Sequence, residues 1–376
     1  MVYLDYSATT MVNPSVLDTF NKVCKEFPGN ANSLHELGFK ARELMNSSVK
    51  QISELISVHE DEVIFTSGAS EANNMALIGA ALKYKNRGKH IITTKLEHSS
   101  VLNTVSFLES LGYTVDYVKL LPNGSVDLED LESKICENTF LVSICQVNSE
   151  IGIIQDVNKI GEILKKYKKI IFHVDGTQAI GKIKVNLDNI DLYSFSAHKI
   201  YGIVGIGCLI KKRGIELTPL IHGGKSQTIY RSGTPCVSLY ASFAKALRLV
   251  LTDFDNKYNH VKELNKYLVK KLREIDEIII NSNDSCVYNI INLSIKGIKP
   301  ETMLHALSSE DIYISTKTAC SSDDLSLSVL ELTQDKDLAR SSIRISLSYL
   351  TTFEELDYFL HVFKEKIDEL SFMKGE

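Results

Sequence analysis

No two of the seven cysteines are spaced C-x-x-C, and an odd number cannot all pair within the chain, which argues against a disulfide framework and a zinc ribbon. That pattern points to a reducing, cytoplasmic compartment. Most of the seven are expected to be small buried hydrophobes, Cys145 and Cys208 in their apolar runs above all. No apolar run approaches the length that spans a bilayer. The first ten residues, MVYLDYSATT, carry an aspartate and lack the basic start and apolar stretch of a secretory signal. Nor is there a large excess of one charge: a net charge of −5 gives no electrostatic basis for a nucleic acid or an anionic membrane as main partner. Internal repeats, low-complexity tracts and Pro/Ser-rich linkers are missing too. What remains is 376 residues of ordinary globular composition, 44% hydrophobic and 24% charged, long enough for a large core and two or three average domains.

From about residue 60 to 211, short apolar runs alternate with longer helical patterns. DEVIFTSG, KHIITT, YTVDYVKL, TFLVSICQVN, KKIIFHVDG, DLYSFSA and GIGCLIKK each read as a buried strand. SEANNMALIGAALKYKNRG between two of them repeats its apolar residues at helical spacing and stops at Gly88. Such alternation predicts a mostly parallel sheet covered on both faces, whose ligands bind at the carboxyl ends of the strands. Beyond about residue 240 a long Lys-rich helical stretch leads to short strands near CVYNIINLSI and DIYIST and a closing helix, a second and smaller α+β unit.

The strand ends carry the chemistry. IFTSGASE turns through Gly68, Ala69 and Ser70 into a helix, where backbone N–H groups can meet an anion; a plain tight turn with Ser70 as N-cap is the simpler alternative. His98 follows the next strand, and alone it reads as structural. Asn148 and Glu150 sit in QVNSEIG, a composition that turn chemistry also explains. Asp175 ends FHVD, with Gln178 three residues on; a carboxylate at a buried strand edge needs a partner, and a salt bridge is as good a reading as a ligand contact. SFSAHK then delivers Ser196, His198 and Lys199. Together the set suits pyridoxal 5′-phosphate (PLP), whose phosphate, pyridinium nitrogen, ring face and aldehyde ask for a small-residue turn, a carboxylate, a flat side chain and an amine.

Ten segments, YLDYSATT, GNANSLH, FTSGASEANN, EHSSV, VNSEIG, HVDGTQAIGK, SFSAHKIYG, RSGT, TACSS and SSIRISL, closely resemble those of the NifS/IscS-like cysteine desulfurases, PLP-dependent members of the class V aminotransferase group. The match spans almost the whole chain in the family's order. It implies a PLP-dependent transferase type I fold: an α/β large domain (residues 15–245) with a mostly parallel seven-stranded sheet flanked by helices, and a smaller α+β domain (1–14 and 246–376). By the same resemblance Lys199 would hold the cofactor covalently, Asp175 would pair with its ring nitrogen, and His98 would stack on the ring and tune protons near the substrate sulfur. Gln178 and Asn148 would contact the ring hydroxyl or the substrate. Gly68, Ala69, Ser70, Ser196 and His198 would hold the phosphate. Thr234, in RSGT, would reach the phosphate of a second subunit, which implies a homodimer. Arg344 would clamp the carboxylate of L-cysteine, and Cys320, in a Ser/Thr/Asp-rich stretch, would be the nucleophile that takes the sulfur as a persulfide for a protein acceptor serving iron–sulfur cluster or tRNA thiolation pathways. No metal and no direct nucleic-acid contact are implied.

Some positions depart from the family pattern. Ile203 and Val204 replace a Pro-Lys pair, Lys225 and Ile229 stand in a normally Gly-rich stretch, Ala31 replaces a proline and Lys317 a glycine. The residues after LDYFLHVFKEKIDEL are few, without the extension some family members use to dock a cluster scaffold. Two other readings therefore stay open: another class V activity, such as a selenocysteine lyase or an aminotransferase, and a non-catalytic homologue acting as a partner protein.

Overall fold

Alternating apolar runs and helices fold as the sequence predicts. The computed structural model describes residues 1–316 and 325–372. Its first elements are β1 (Val2–Tyr3), α1 (Pro14–Glu26), α2 (Glu36–Leu55), β2 (Val63–Thr66), α3 (Ala69–Lys83), β3 (His90–Thr93), α4 (Ser99–Ser110) and β4 (Thr114–Tyr117). Then come α5 (Leu128–Lys134), β5 (Thr139–Cys145), α6 (Val157–Leu164), β6 (Ile171–Asp175), β7 (Leu192–Ser196), β8 (Gly207–Lys211), α7 (Val237–Leu251) and α8 (Phe254–Leu272). The rest are β9 (Ile278–Ile280), β10 (Ile290–Ile295), α9 (Pro300–Ser308), β11 (Ile312–Tyr313), α10 (Leu327–Thr333), α11 (Lys336–Arg340), β12 (Ser342–Ser346) and α12 (Phe353–Phe372).

All seven predicted runs lie in one sheet of order β2-β8-β7-β6-β5-β3-β4, parallel throughout except for β8, which runs against both its neighbours. Every residue of β2, β3, β5, β6, β7 and β8 is buried, as expected where both faces are covered. Edge strand β4 alone alternates between exposed and half-buried. Side chains alternate across the pleat: Val63 and Phe65 join one core with residues of α1, α2 and α7, while Ile64 joins another with α3 and α4. Because β8 is the reversed strand, its first residue, Gly207, sits on the same rim as the last residues of β2 and β7. A Cβ there would come 2.6 Å from the Gly68 carbonyl carbon, so only glycine lets β8 start so close to the turn after β2.

A separate core joins Val2 and Leu4 to apolar residues between Val261 and Ile367, around the antiparallel sheet β12-β10-β9 and the parallel pair β1-β11. Val250 of α7 packs in the first core, so the expected division at 245–246 falls inside a helix. The cysteines correct one expectation: Cys145 and Cys208 are buried, but Cys24, Cys136 and Cys236 are exposed. Cys24, for example, lies on a helix whose buried side carries Val16 and Val23. Among the described residues no helix is long and apolar enough to cross a membrane.

Candidate active site

The carboxyl ends of β2, β3, β5, β6 and β7 surround a cavity of about 450 Å³, within the range of small-molecule sites. Its lining includes Gly68, Ala69, Ser70, His98, Asp175, Gln178, Ser196, His198, Lys199 and Arg344. Asn148 and Thr234 are not among the lining residues. Cys320 and Lys317 lie outside the described residues.

Asp175, the last residue of β6, is 6% exposed. One carboxylate oxygen accepts from the Thr177 N–H at 3.0 Å and the other from Asn73 Nδ2 at 2.8 Å, so an amide donor meets each of its oxygens. Gly176 follows because the Tyr193 ring lies where its Cβ would be. Two residues before Asp175, His173 is wedged between the Ser143 and Ser194 hydroxyls at 2.8 and 3.0 Å. Burial pushes it down to about 4, so a neutral imidazole fills the layer beneath the carboxylate.

Lys199 ends a single 3-10 turn after β7. Its Nζ donates to the carbonyls of Ser7 and Ala8 at 2.5 and 2.7 Å, contacts 192 and 191 residues away in sequence that hold the amine at the cavity. Two residues on, Tyr201 takes a φ of 63°, in a region unfavourable for a bulky side chain. The Thr10 hydroxyl accepts its N–H at 2.7 Å, and its phenol meets Ser348 at 2.6 Å. This over-determined turn aims Lys199 back toward Ser7. His198 is pushed down to about 4 by burial and by Lys199 and Lys182.

His98 is the N-cap of α4: its Nδ1 accepts the Ser100 N–H at 3.1 Å, which places the ring's proton on Nε2 at neutral pH. Burial lowers its basicity further. The N-cap of α3 is Gly68, without a side-chain bond, so Ser70 sits inside the first turn and is not the cap the simpler sequence reading expects. Asn148 serves the turn: its Oδ1 accepts the Glu150 and Ile151 N–H groups at 2.9 and 2.8 Å, while Nδ2 donates to Leu96 O and Ser328 Oγ at 2.8 and 3.1 Å. Arg344 is 2% exposed, with one terminal nitrogen on Ser149 O at 2.9 Å and the other on Asp5 at 2.8 Å.

Sequence reasoning missed several members of the site: Asn73 and Thr177 on Asp175, the Ser7 and Ala8 carbonyls on Lys199, and Asp5 on Arg344. All of them lie in segments that carry the family resemblance, Asn73 in FTSGASEANN, Thr177 in HVDGTQAIGK and the others in YLDYSATT. Glu97 was missed as well. Its carboxyl is 6% exposed, accepts the Cys145 N–H at 2.7 Å and the Thr94 hydroxyl at 2.8 Å through one oxygen, and is pushed up to about 8 by burial, with Asp175 adding to the rise.

A sheet-end cavity that gathers a lysine, a buried carboxylate, an imidazole and a small-residue helix start belongs to a class of cofactor enzyme. Residues 2–359 match the class-V aminotransferase family, and the chain belongs to it. A protein of Lactobacillus delbrueckii named NifS/IcsS protein homolog is 42% identical over 97% of this chain and 97% of its own. A cysteine desulfurase IscS of Buchnera aphidicola is 40% identical over 98% of this chain and 93% of its own. A solved structure named NifS-like protein superposes with a TM-score of 0.92 at 35% identity, over 99% of both chains.

That family is PLP-dependent. The residues present fit such a group. The buried atoms Ser7 Oγ, Thr177 Oγ1 and Arg344 Nε have no partner among the described residues, and all three residues line the cavity. The N-terminus of the 15-residue helix α3 adds backbone donors and a favourable field for an anion at the same rim.

Proposed function

We propose that the protein is a PLP-dependent cysteine desulfurase, which removes sulfur from L-cysteine to give L-alanine. The observation that carries this reading is the cavity that Lys199 and the buried Asp175 share, in a chain that two relatives of that name match over 93% and 95% of their own length. Lys199 would hold the cofactor covalently, and its amine is the group that would move the α-proton of the substrate. Asp175 would pair with the ring nitrogen, and His98 would stack on the ring. Gly68, Ala69, Ser70, Ser196 and His198 hold the phosphate. Gln178 faces the ring hydroxyl, and Arg344 takes the substrate carboxylate. Asn148 supports this arrangement from behind, as the strut between Leu96 and Ser328. When bound, the cofactor supplies an electron sink for the substrate carbon.

Cys320 is the nucleophile. As thiolate it attacks the substrate sulfur; an S–S bond forms as the Cβ–S bond breaks, and the electron pair left on carbon takes up a proton. The product on the enzyme is a persulfide, which a thiol or an acceptor protein removes. Ser315, five positions before Cys320 in the sequence, lines the cavity. The protein works as a homodimer in which Thr234 serves the other copy's site. Supporting this, Thr234 is exposed outside its own cavity, and Leu34, Val204 and Ile229 stand 97%, 67% and 61% exposed.

Alanine formed from L-cysteine by the PLP-loaded protein with a thiol reductant tests the reading. Many turnovers, lost in Cys320→Ser, are expected. Faster turnover on selenocysteine that survives Cys320→Ser favours a lyase, and a PLP-bound protein inert toward every amino acid favours a non-catalytic partner.

A further inference from the structure

We propose that Lys182 is a positioning residue of the cofactor site, which orients the Gln178 amide and places positive charge behind Lys199. The inference rests on the cofactor reading above. Gly181, at a φ of 77° and with no room for a Cβ against Val250, turns the chain so that Lys182 points inward, where it is 9% exposed. Its Nζ donates to Gln178 Oε1. Gln178 Nε2 donates in turn to Ser7 O at 2.9 Å, the same carbonyl that Lys199 holds.

An ammonium has three donors and no acceptor, so it fixes which end of the Gln178 amide faces it. A flipped amide would set its NH₂ group against the ammonium and its oxygen against the Ser7 carbonyl. With the flip excluded, one hydrogen of Nε2 goes to Ser7 and the second is left for the cavity that Gln178 lines. Lys182 thus makes Gln178 a donor there.

Lys182 and Lys199 also line a smaller cavity of about 20 Å³. The titratable groups around it are Lys257 and the phenols of Tyr6, Tyr201, Tyr258 and Tyr349, with no carboxylate among them. Burial pushes the Lys182 ammonium down to about 7, with Lys199 and then Arg344 adding to the fall. A buried lysine without an acid costs stability, and a methionine would fill the same space without that cost. Its contact with Gln178 and its place behind Lys199 are what account for it.

The test is the pH midpoint of the visible absorption band of PLP bound to the full chain. In Lys182→Met both a nearby cation and the lock on a donor amide are lost, so the nitrogen that joins Lys199 to the cofactor keeps its proton longer. The midpoint is expected to rise by at most about one pH unit, the full value for a unit charge removed at roughly 10 Å, because Lys182 sheds its own proton at about 7. Lys182→Arg should stay with the wild type, and the thermal midpoint of Lys182→Met should not fall. Should that variant fail to accumulate folded, Lys182→Gln removes the charge and keeps a donor, and it should shift in the same direction. An unchanged midpoint in a PLP-loaded neutral variant overturns the inference alone. A wild-type chain that takes up no PLP overturns the cofactor reading with it.

Discussion

At the floor of the cavity Asp175, Ser196 and Arg344 come from the ends or interiors of strands and are nearly excluded from solvent. At its mouth, residues 221–234 form no helix or ladder, only an isolated bridge between Ile221 and Arg231, and most are exposed. The difference separates two jobs. Chemistry needs groups held by a rigid frame, which the strand ends supply, whereas the mouth is tied in by a few bonds such as Gln227 to Val63 O and Arg231 to Glu71, which leaves its surface open to the second copy that the proposed dimer would bring. The departures from the family pattern at Val204, Lys225 and Ile229 all fall on the exposed side.

The largest effect should come from the floor. Lys199→Ala removes the amine that Ser7 and Ala8 hold, so PLP should bind without a covalent link and alanine formation should fall by at least roughly 10²–10⁴-fold, the worth of one positioned acid–base group. A mass spectrum after borohydride reduction checks the link. Arg344→Lys comes next. A lysine cannot reach Ser149 and Asp5 while offering a planar fork, so KM for L-cysteine should rise by about 10–100-fold with a smaller change in kcat. A kcat loss at unchanged KM would take the carboxylate away from Arg344.

Glu97 sharpens the comparison through pH. Its native carboxyl, at about 8, holds a proton over a range where the unfolded chain has lost it. Stability from this group is complete below the usual carboxylate range and is lost as pH rises through about 8, with a slope approaching ~1.4 kcal/mol per pH unit between. Urea unfolding between pH 6 and 8 should show that decline in the wild type and not in Glu97→Gln. An equal slope in both proteins would mean that the carboxyl is already ionised in the folded state.

The sheet was legible because a strand buried on both faces reads as an unbroken apolar run, and the cavity because ligands of such sheets sit at the strand ends. What stayed hidden depends on distant chain. Nothing local to Lys199 says that Ser7 and Ala8 meet it, and nothing in SSIRISL announces Asp5, 339 residues away. Asn148 was expected to contact the ring hydroxyl or the substrate, with turn chemistry as the alternative; its hydrogen bonds serve the turn, and the one to Ser328 spans 180 residues. Lys182 ends the segment HVDGTQAIGK, yet nothing in that segment alone says that the Gly181 turn sends it inward.

The smallest expected effect is at the mouth, and its sign is opposite to that of Glu97. Glu71 lies beside the helix start, and its carboxylate accepts from Arg231 Nε at 3.0 Å and from the Ser67 N–H at 2.6 Å. Burial alone would raise it, but the Arg231 and Ser67 hydrogen bonds more than reverse this and hold it below the usual range. Its contribution is therefore present above the ordinary carboxylate range and lost as pH falls, since the unfolded chain binds the proton first. Glu71→Gln keeps an acceptor for Ser67 and removes only the charge that ties Arg231 to the small-residue turn. At neutral pH it should cost about 1 kcal/mol, as partly exposed ion pairs do, and the difference should vanish in acid. Amide exchange should quicken across residues 221–234 and leave β6 and β7 unchanged. Equal quickening in those strands would mean that mouth and floor move as one body, and the contrast between them would not stand.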